Sequence, residues 1–164
     1  MKRRDKTNYY LDIAEAVSER STCLRRRFGA VVVKNDEIIS TGYNGAPRGR
    51  KNCIDLDFCY RERLGVPRGQ RYELCRSVHA EANAIISASR SDLLGATLYL
   101  ACHDGATNQL DGAVEPCSMC KRLILNAGIE WVVIREDADI YHTIETAKWI
   151  DDDDSLAQEL RTGY

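Results

Sequence analysis

The sequence lacks an excess of positive charge, a long apolar run and a signal-peptide pattern. It contains 23 lysines and arginines and 25 aspartates and glutamates, which gives a net charge of −2. This net charge disfavours the electrostatic attraction that drives binding to long nucleic acids. No stretch approaches the roughly 18 consecutive apolar residues of a membrane-spanning helix. The basic start, MKRRDKTNYY, is not followed by the apolar region of a secretory signal. We therefore expect a cytoplasmic protein without membrane or long nucleic-acid partners.

Histidine is scarce in this chain, whereas cysteine is not. The 164 residues include three histidines and seven cysteines. Because no secretory signal is present, the cysteines are predicted to be reduced thiols, some of them metal ligands, rather than a disulfide framework. The length and a hydrophobic fraction of 44% suffice for one core, so a single domain over residues 1–164 is expected.

Hydrophobic periodicity predicts an α/β fold with a central mixed five-stranded sheet flanked by helices. Tyr10, Ile13, Ala14 and Val17 recur at helical spacing, whereas GAVVVK and EIISTGY flank the turn Asn35-Asp36 as hairpin strands. The predicted helices cover residues 10–20, 78–89, 116–128 and 155–160, and the predicted strands cover 29–34, 37–43, 96–101, 130–134 and 141–150.

Capping residues mark the ends of two of these helices. Ser77 is the predicted N-cap of the second helix, Pro116 suits the first position of the third, and Gly128 suits its C-cap. These boundaries place His79 and Cys117 close to the starts of the two helices.

His79, Cys117 and Cys120 form a three-ligand set for a catalytic zinc ion. Such an ion keeps its fourth position for water, whose pKa it lowers to about 7. Because Cys117 and Cys120 are three residues apart at a helix start, both sulfurs can face one point, and the helix dipole favours their thiolate forms. Glu81 points elsewhere around its helix and is predicted to move protons to and from that water rather than to bind metal.

A structural interpretation of the same residues stays open at this point. Cys117-x-x-Cys120 is also found in structural zinc knuckles, and His79 is also compatible with a hydrogen-bonded core histidine. A structural zinc would prefer four protein ligands, and neither alternative accounts for Glu81 and Pro116.

The pattern His-x-Glu followed by Pro-Cys-x-x-Cys is the signature of zinc-dependent nucleobase deaminases. HAEANAI (79–85) and PCSMC (116–120) resemble the cytidine and deoxycytidylate deaminase superfamily, and GAVVVKNDEIISTGYNGAPRG (29–49) resembles its deoxycytidylate (dCMP) deaminase branch. The resemblance covers residues 9–135 approximately. It implies a three-layer α/β/α cytidine-deaminase-like fold and the hydrolytic deamination of dCMP to dUMP and ammonia in pyrimidine nucleotide metabolism.

The resemblance also implies assembly and regulation. A homo-oligomer, specifically a hexamer, is expected, with activation by dCTP and inhibition by dTTP. Asn44, Gly45 and Arg48 of the GYNGAPRG motif would then contribute to the effector site, and Mg²⁺ would accompany the nucleotide effector.

Cys23, Cys53, Cys59 and Cys75 form a second candidate zinc site. They lie in or beside segment 44–76, which is rich in glycine and proline and long for a loop unless something pins it. Four thiolates make a closed tetrahedral zinc site that would do so. The resemblance implies a second, structural zinc here with Cys23 and Cys53 at ligand positions, whereas Cys59 and Cys75 are assigned by position. Buried free thiols are the alternative.

The substrate needs partners for its phosphate, sugar and base. Arg25-Arg26-Arg27 is a candidate phosphate clamp, with Arg26 and Arg27 favoured, because arginine pairs bidentately with phosphate; a solvated basic turn is the alternative. The resemblance implies that Asn44 hydrogen-bonds the sugar 3′-hydroxyl, although a plain turn asparagine before glycine is also compatible with the sequence. It further implies that Ala80 lines the substrate site, with Tyr141 as the candidate aromatic partner of the base.

Three features depart from the family pattern. Segment 102–115 is an insertion at the mouth of the site, and Cys102 at its start matches no metal motif and is predicted to be a packed thiol. Ala138 stands where family members carry a tyrosine after the fourth strand, and Tyr141 follows only later. Six residues separate Ile134 from Tyr141, too few for a parallel crossover, so a last strand should run antiparallel, as in the nucleoside deaminases of the superfamily.

These departures leave other functions open. One is a zinc deaminase that acts on another nucleoside, free base or nucleotide, and another is a zinc-stabilised binding protein without catalysis. The presence of Glu81 disfavours the non-catalytic protein, and the charge balance disfavours a tRNA or single-strand editing enzyme.

Overall fold

Residues 3–152 are described by the computed structural model, and their five strands form a single mixed sheet. The strands are β1 (Arg26–Lys34), β2 (Glu37–Tyr43), β3 (Thr97–Asp104), β4 (Trp131–Arg135) and β5 (Tyr141–Glu145). Their order is β2-β1-β3-β4-β5, with β3 and β4 as the parallel pair and the other neighbours antiparallel. The predicted α/β class with a mixed five-stranded sheet is confirmed, and so is the antiparallel direction of the last strand.

Helices cover both faces of this sheet, which makes it the middle of three layers. In chain order, the helices of the described residues are α1 (Lys6–Ser18), α2 (Cys53–Leu56), α3 (Tyr60–Arg63), α4 (Ala80–Ile86), α5 (Arg90–Leu93), α6 (Ser118–Ala127) and α7 (Lys148–Asp151). On one face, Ala14 of α1 shares a core with Val31 of β1. On the other, Ala84 of α4 and Ile124 of α6 share a core with Val32. We call these the α1 face and the α4/α6 face; successive residues of β1 alternate between them.

Two glycines of the β1–β2 hairpin allow the helices to lie directly on its backbone. A Cβ on Gly42 would come within 2.2 Å of the carbonyl oxygen of Ala80 in α4. A Cβ on Gly29 would come within 1.9 Å of the carbonyl oxygen of Ala14 in α1. Both distances are far below van der Waals contact, so the position of each helix depends on the missing side chain beneath it.

Helices α4 and α6 both begin later than the sequence predicted. Val78 and Gly45 exchange two backbone hydrogen bonds, of 2.8 and 3.2 Å, which hold Val78 extended. The helix therefore begins after His79, which is its N-cap, and not after Ser77. Similarly, Pro116 precedes the N-cap Cys117 instead of occupying the first helical turn.

Other boundaries confirm or shift the predicted elements. Asn35 and Asp36 close the hairpin with φ values of 51° and 66°, the left-handed region that a type I′ turn needs at both positions. Gly128 is the left-handed C-cap of α6, as predicted. Asp5 caps α1, which begins earlier than expected. The last strand ends at residue 145 and is followed by α7, whereas the helix predicted over 155–160 lies outside the described residues.

Within residues 3–152, no helix has the length and apolar content needed to cross a membrane.

Candidate active site

The N-termini of α4 and α6 bring the predicted metal ligands together. His79 is the N-cap of α4, Cys117 is the N-cap of α6, and Cys120 lies in the first turn of α6. The Nδ1 atom of His79 lies 3.4 Å from Sγ of Cys117 and 3.5 Å from Sγ of Cys120. All three ligand atoms lie within 4.8 Å of one another, and in the described residues no other group of three His, Cys, Asp or Glu side chains does so.

This donor set fits a zinc ion. Zinc–nitrogen bonds of about 2.0–2.1 Å and zinc–sulfur bonds of about 2.3 Å, at a tetrahedral angle, separate nitrogen from sulfur by about 3.5 Å, which is the separation found between His79 and the two sulfurs. A set of three protein ligands with soft sulfur donors is the composition of a catalytic zinc site, which keeps one position for water.

Glu81 lies next to this set without joining it. It is the second residue of α4, is 4% exposed, and contacts Cys120. Burial raises the pKa of Glu81, and the neighbouring charge of His79 opposes that rise. The carboxylate lines the same cavity as His79 and Cys117, so it is placed to exchange protons with a water or a substrate there.

Hydrogen bonds among the ligands already favour a thiolate. The bond with Cys120 lowers the pKa of Cys117 to about 4, with the hydrogen bond to His79 acting in the same direction; the same bond raises the pKa of Cys120. Burial disfavours charge on the His79 ring, but hydrogen bonds to Cys117 and Cys75 raise its pKa to about 10. Metal binding would displace the remaining protons, because zinc needs thiolates and a neutral imidazole.

Asn44 lies in the wall of the cavity, where β2 ends. Its Oδ1 accepts hydrogen bonds from Oγ of Ser21 (2.6 Å) and from the backbone N–H of Phe28 (2.8 Å), and its Nδ2 donates to the carbonyl oxygen of Arg26 (2.9 Å). These bonds clip the end of β2 to the start of β1. One N–H of the amide remains for a ligand in the cavity.

The structure separates the two arginines that the sequence favoured for phosphate binding. Because β1 already begins at Arg26, its residues alternate from there: Arg26 lines the cavity, and Arg27 points to the opposite face, where it hydrogen-bonds Asn108. Arg26 is paired with Asp111 at 3.0 Å. Arg27 is therefore not brought into the candidate site.

Neither Ala80 nor Tyr141 lines the cavity. Ala80, the first residue of α4, is fully buried in the core of the α4/α6 face. Tyr141 lies opposite Arg135 in the β4–β5 ladder and near Tyr99 on the α1 face. It does not line the cavity, so the expected contact between Tyr141 and the base is not supported.

The 102–115 insertion folds back against the sheet and reaches the rim of the cavity. His103 and Leu110 form an isolated β-bridge, and the N–H of Asp111 donates to the carbonyl oxygen of Cys102 at 2.9 Å. This turn brings Asp111 to Arg26 and is followed by Glu115 in the cavity wall. Cys102 itself is fully buried in the core, as predicted.

The four cysteines of the second candidate metal site are neighbours. Cys53 is buried, and burial raises the pKa of its thiol, as do the nearby Cys23, Cys75 and Cys59. No three of them lie as close together as the His79 set in the described part of the chain. Cys75 also hydrogen-bonds His79, which connects this cluster to the other candidate site.

The cavity contains residues that the sequence analysis did not single out. Tyr72, in a 3-10 turn at 72–74, packs edge-on against the His79 ring with centroids 5.3 Å apart. Arg61 lies over the Tyr72 ring, and Arg68 lines the same cavity. All three come from the turn-rich segment, where no periodicity indicates which side chains point inward; the clustered arginines of RERLGVPRGQR were the available signal.

Comparison with known proteins agrees with this geometry. Residues 4–136 match the family described as the cytidine and deoxycytidylate deaminase zinc-binding region. The chain belongs to this family of zinc-dependent deaminases.

Within the family, its similarity is to deoxycytidylate deaminases. The chain is 42% identical over 143 residues to the deoxycytidylate deaminase of Mycobacterium phage D29, a match that covers 84% of this chain and all of that one. It is 34% identical to the Schizosaccharomyces pombe enzyme over 83% of this chain, but spans 36% of that longer relative.

Solved structures agree with the fold. The dCMP deaminase of cyanophage S-TIM5, in complex with dCMP and dUMP, superposes with a TM-score of 0.57, at 29% identity over 82% of this chain and 84% of that one. A Burkholderia pseudomallei cytidine deaminase superposes with a TM-score of 0.52 at 17% identity, over 84% of this chain and 91% of that one, and shows the shared fold alone.

Proposed function

We propose that this protein is a single deaminase domain that converts dCMP to dUMP and ammonia by hydrolysis. The observation that carries the proposal is the buried Glu81 beside a three-ligand zinc set at the base of a cavity. The dCMP- and dUMP-bound structure of the cyanophage relative supports the choice of substrate.

In this proposal, His79, Cys117 and Cys120 hold the zinc, which when bound lowers the pKa of water enough to supply hydroxide near neutral pH. Glu81 would take one proton from the attacking water and deliver it to N3 of the pyrimidine as the C4–O bond forms. It would then take the proton of the resulting C4 hydroxyl and deliver it to the amine, which leaves as ammonia as the C4–N bond breaks. Burial excludes bulk water from Glu81, which keeps those protons between the carboxylate and the substrate.

Asn44 supports a nucleoside or nucleotide substrate over a free base. Hydrogen bonds to Ser21, Phe28 and Arg26 fix the orientation of its amide. The direction of its remaining N–H is therefore fixed as well. A hydroxyl of the sugar is a suitable acceptor for this donor. The side chain thus contributes both to the fold and to recognition.

A substrate panel tests the proposal. Ammonia release is measured with dCMP, CMP, deoxycytidine, cytosine and guanine, and dCMP is expected to give the highest kcat/KM. A different preferred substrate would make the protein another zinc deaminase, and no release from any of them would make it a binding protein.

We propose that Cys23, Cys53, Cys59 and Cys75 bind a second, structural zinc. The proximity of the four thiols supports this, and so does the need to order a segment whose helices, α2 and α3, are single turns. Elemental analysis should give two zinc ions per chain, and Cys53→Ser should remove one. One zinc per wild-type chain would contradict the site.

We propose a homo-oligomer, specifically a hexamer, with its subunit contacts on the α4 and α6 layer. Ile86 of α4 is 75% exposed, and Met119 and Leu123 of α6 are 40% and 43% exposed, an apolar surface that a second copy can cover. Light scattering should show an assembly that Ile86→Lys weakens. A monomeric wild type would contradict it.

We further propose regulation by dCTP and dTTP, with Mg²⁺ on the nucleotide, at the loop after β2. Asn44 and Gly45 begin this loop, and Arg48 lies exposed within it. A separate cavity of about 380 Å³ adjoins it, with Arg50 and Arg76 in its wall. Rates measured with and without dCTP and dTTP test this, and unchanged rates would contradict it.

We propose that the protein acts in the cytoplasm. All seven cysteines are unpaired, and a reducing compartment keeps thiolate ligands available for zinc. Fractionation of producing cells, with zinc content measured in each fraction, tests the location.

A further inference from the structure

The cavity wall contains four arginines, and two of them are already neutralised. Arg25 is paired with Glu62 at 2.9 Å, and Arg26 is paired with Asp111 at 3.0 Å. Neither is free to match the charge of an anionic ligand without giving up a carboxylate. The other two, Arg61 and Arg68, have no carboxylate within ion-pair distance among residues 3–152.

Arg61 is the more unusual of the two, because it is 6% exposed and unpaired. Its Nη2 donates hydrogen bonds to the carbonyl oxygens of Pro67 (3.2 Å) and Gln70. Its Nε has no hydrogen-bond partner in the described residues. A buried guanidinium without a carboxylate is costly, and an anion in the cavity would offset that cost.

The same contacts place Arg68. Pro67 and Gln70, which Arg61 holds, bracket Arg68, so the buried arginine fixes the turn that carries the exposed one. Both side chains line the cavity, Arg61 as a buried residue and Arg68 as an exposed one. The cavity lining therefore contains two positive charges that no carboxylate of residues 3–152 neutralises.

The ring of Tyr72 contacts both Arg61 and the candidate metal ligand His79. The Tyr72 ring centre is 5.3 Å from the His79 ring centre and 4.4 Å from the guanidinium carbon of Arg61. In a nucleotide, the sugar likewise lies between the base and the 5′-phosphate. A base positioned at His79 and Glu81 would direct its 5′-phosphate along the same cavity, which Arg61 and Arg68 also line.

We propose that Arg61 and Arg68 bind the 5′-phosphate of the substrate and thereby select a nucleotide over a nucleoside. This inference rests on the proposed deaminase function. It transfers the phosphate-binding role from Arg26 and Arg27, at the start of β1, to two arginines of segment 44–76.

Paired ligands test the inference. Inhibition constants are measured for dUMP and deoxyuridine, and kcat and KM for dCMP, in the wild type, Arg68→Gln and Arg61→Lys. Arg68→Gln should weaken dUMP binding and raise the KM for dCMP by about tenfold, and Arg61→Lys by about 10- to 100-fold. Deoxyuridine binding should be unchanged, because it lacks the phosphate, and Arg68→Lys should recover part of the loss.

Arg63→Gln is the matched control. Arg63 belongs to the same segment, but its guanidinium lies over Phe58, 3.7 Å from the ring centre, and it does not line the cavity. It should bind both ligands as the wild type does.

Equal losses of affinity for dUMP and deoxyuridine in both variants would show a structural role and would overturn the inference. Unchanged dUMP affinity in Arg68→Gln would also overturn it, because it would show that Arg68 does not contact the phosphate. Failure of the proposed function has a different signature, which is a wild type that releases no ammonia from dCMP. The ratio of dUMP to deoxyuridine affinity still decides the phosphate site in that case.

Discussion

Arg135 and Glu81 are buried charged side chains on opposite faces of the sheet, and they differ in their partners. On the α1 face, Arg135 is fully buried, ion-paired with Asp12 and Glu15, and hydrogen-bonded to Asn8. On the α4/α6 face, Glu81 is almost as deeply buried, but in the described part of the chain it has no lysine or arginine within ion-pair distance. One buried charge is neutralised by the fold, and the other faces a cavity.

This difference separates stability from chemistry. A buried charge that is paired with carboxylates holds elements together, here α1 and the end of β4. A buried carboxylate that has no lysine or arginine beside it and lines a cavity has a raised pKa and remains available to a substrate. We therefore expect substitutions on the α4/α6 face to affect turnover and those on the α1 face to affect unfolding.

The largest effect is expected from loss of a metal ligand. Cys120→Ser should lose the catalytic zinc and reduce ammonia release to background, because a three-ligand site cannot spare a thiolate. Zinc content by elemental analysis and activity on dCMP check this. Cys102→Ala is the control, since Cys102 is a buried thiol on the same face outside the ligand set; it should keep its zinc. A zinc-replete Cys120→Ser would contradict the ligand assignment.

The next effect isolates proton transfer from metal binding. Glu81→Gln should retain the catalytic zinc and lose about three to four orders of magnitude in kcat, the upper range for general acid–base catalysis. Steady-state kinetics with a parallel zinc measurement check it. An active variant would rule out the proton-transfer role of Glu81.

A pair of glycine substitutions compares the two faces directly. Gly42→Ala would place a Cβ 2.2 Å from the carbonyl oxygen of Ala80 and push α4, with His79 and Glu81, away from the sheet. Displacement of catalytic groups by about 1 Å can cost about 100-fold in rate. Activity per folded, zinc-loaded molecule is the measurement.

Gly29→Ala is the matched change on the other face, where it would displace α1 instead. It should lower the free energy of unfolding by about 1–3 kcal/mol or more while leaving activity per folded molecule close to that of the wild type. Equal activity losses in the two variants would show that the faces are not separable.

The smallest effect concerns the buried arginine and pH. Arg4, and with it Arg135, holds the pKa of Asp12 below its ordinary value. Because the folded pKa is the lower one, the stabilisation is complete above the unfolded pKa of about 3.9 and is lost as the pH falls through the folded pKa. Arg135→Met should lose about 1–3 kcal/mol at pH 7, since its partners remain partly solvated, and show a weaker further loss in acid.

Urea unfolding of both proteins at pH 7 and pH 3.5 checks this prediction, and kcat should stay unchanged. An equal free energy of unfolding at pH 7 for wild type and variant would mean that the buried ion pairs contribute nothing.

The sequence predicted that His79, Cys117 and Cys120 lie together because their two motifs form a deaminase signature. Cys117 and Cys120 are three residues apart at a helix start, so periodicity indicated that both sulfurs face one point, whereas their connection to His79 came from the resemblance. The faces of Arg27 and Tyr141 depended on strand register, where a shift of one residue reverses the side. Arg61 belongs to turns without a period, and only the folded chain shows that it lines the cavity.

The two backbone hydrogen bonds between Gly45 and Val78 connect the loop after β2 directly to the chain segment that carries the candidate metal site. The residue after Val78 is His79, a proposed metal ligand, so a small displacement of the loop would reach its imidazole through a single peptide unit. A ligand or a neighbouring subunit that grips this loop would thus tune the rate without touching the substrate.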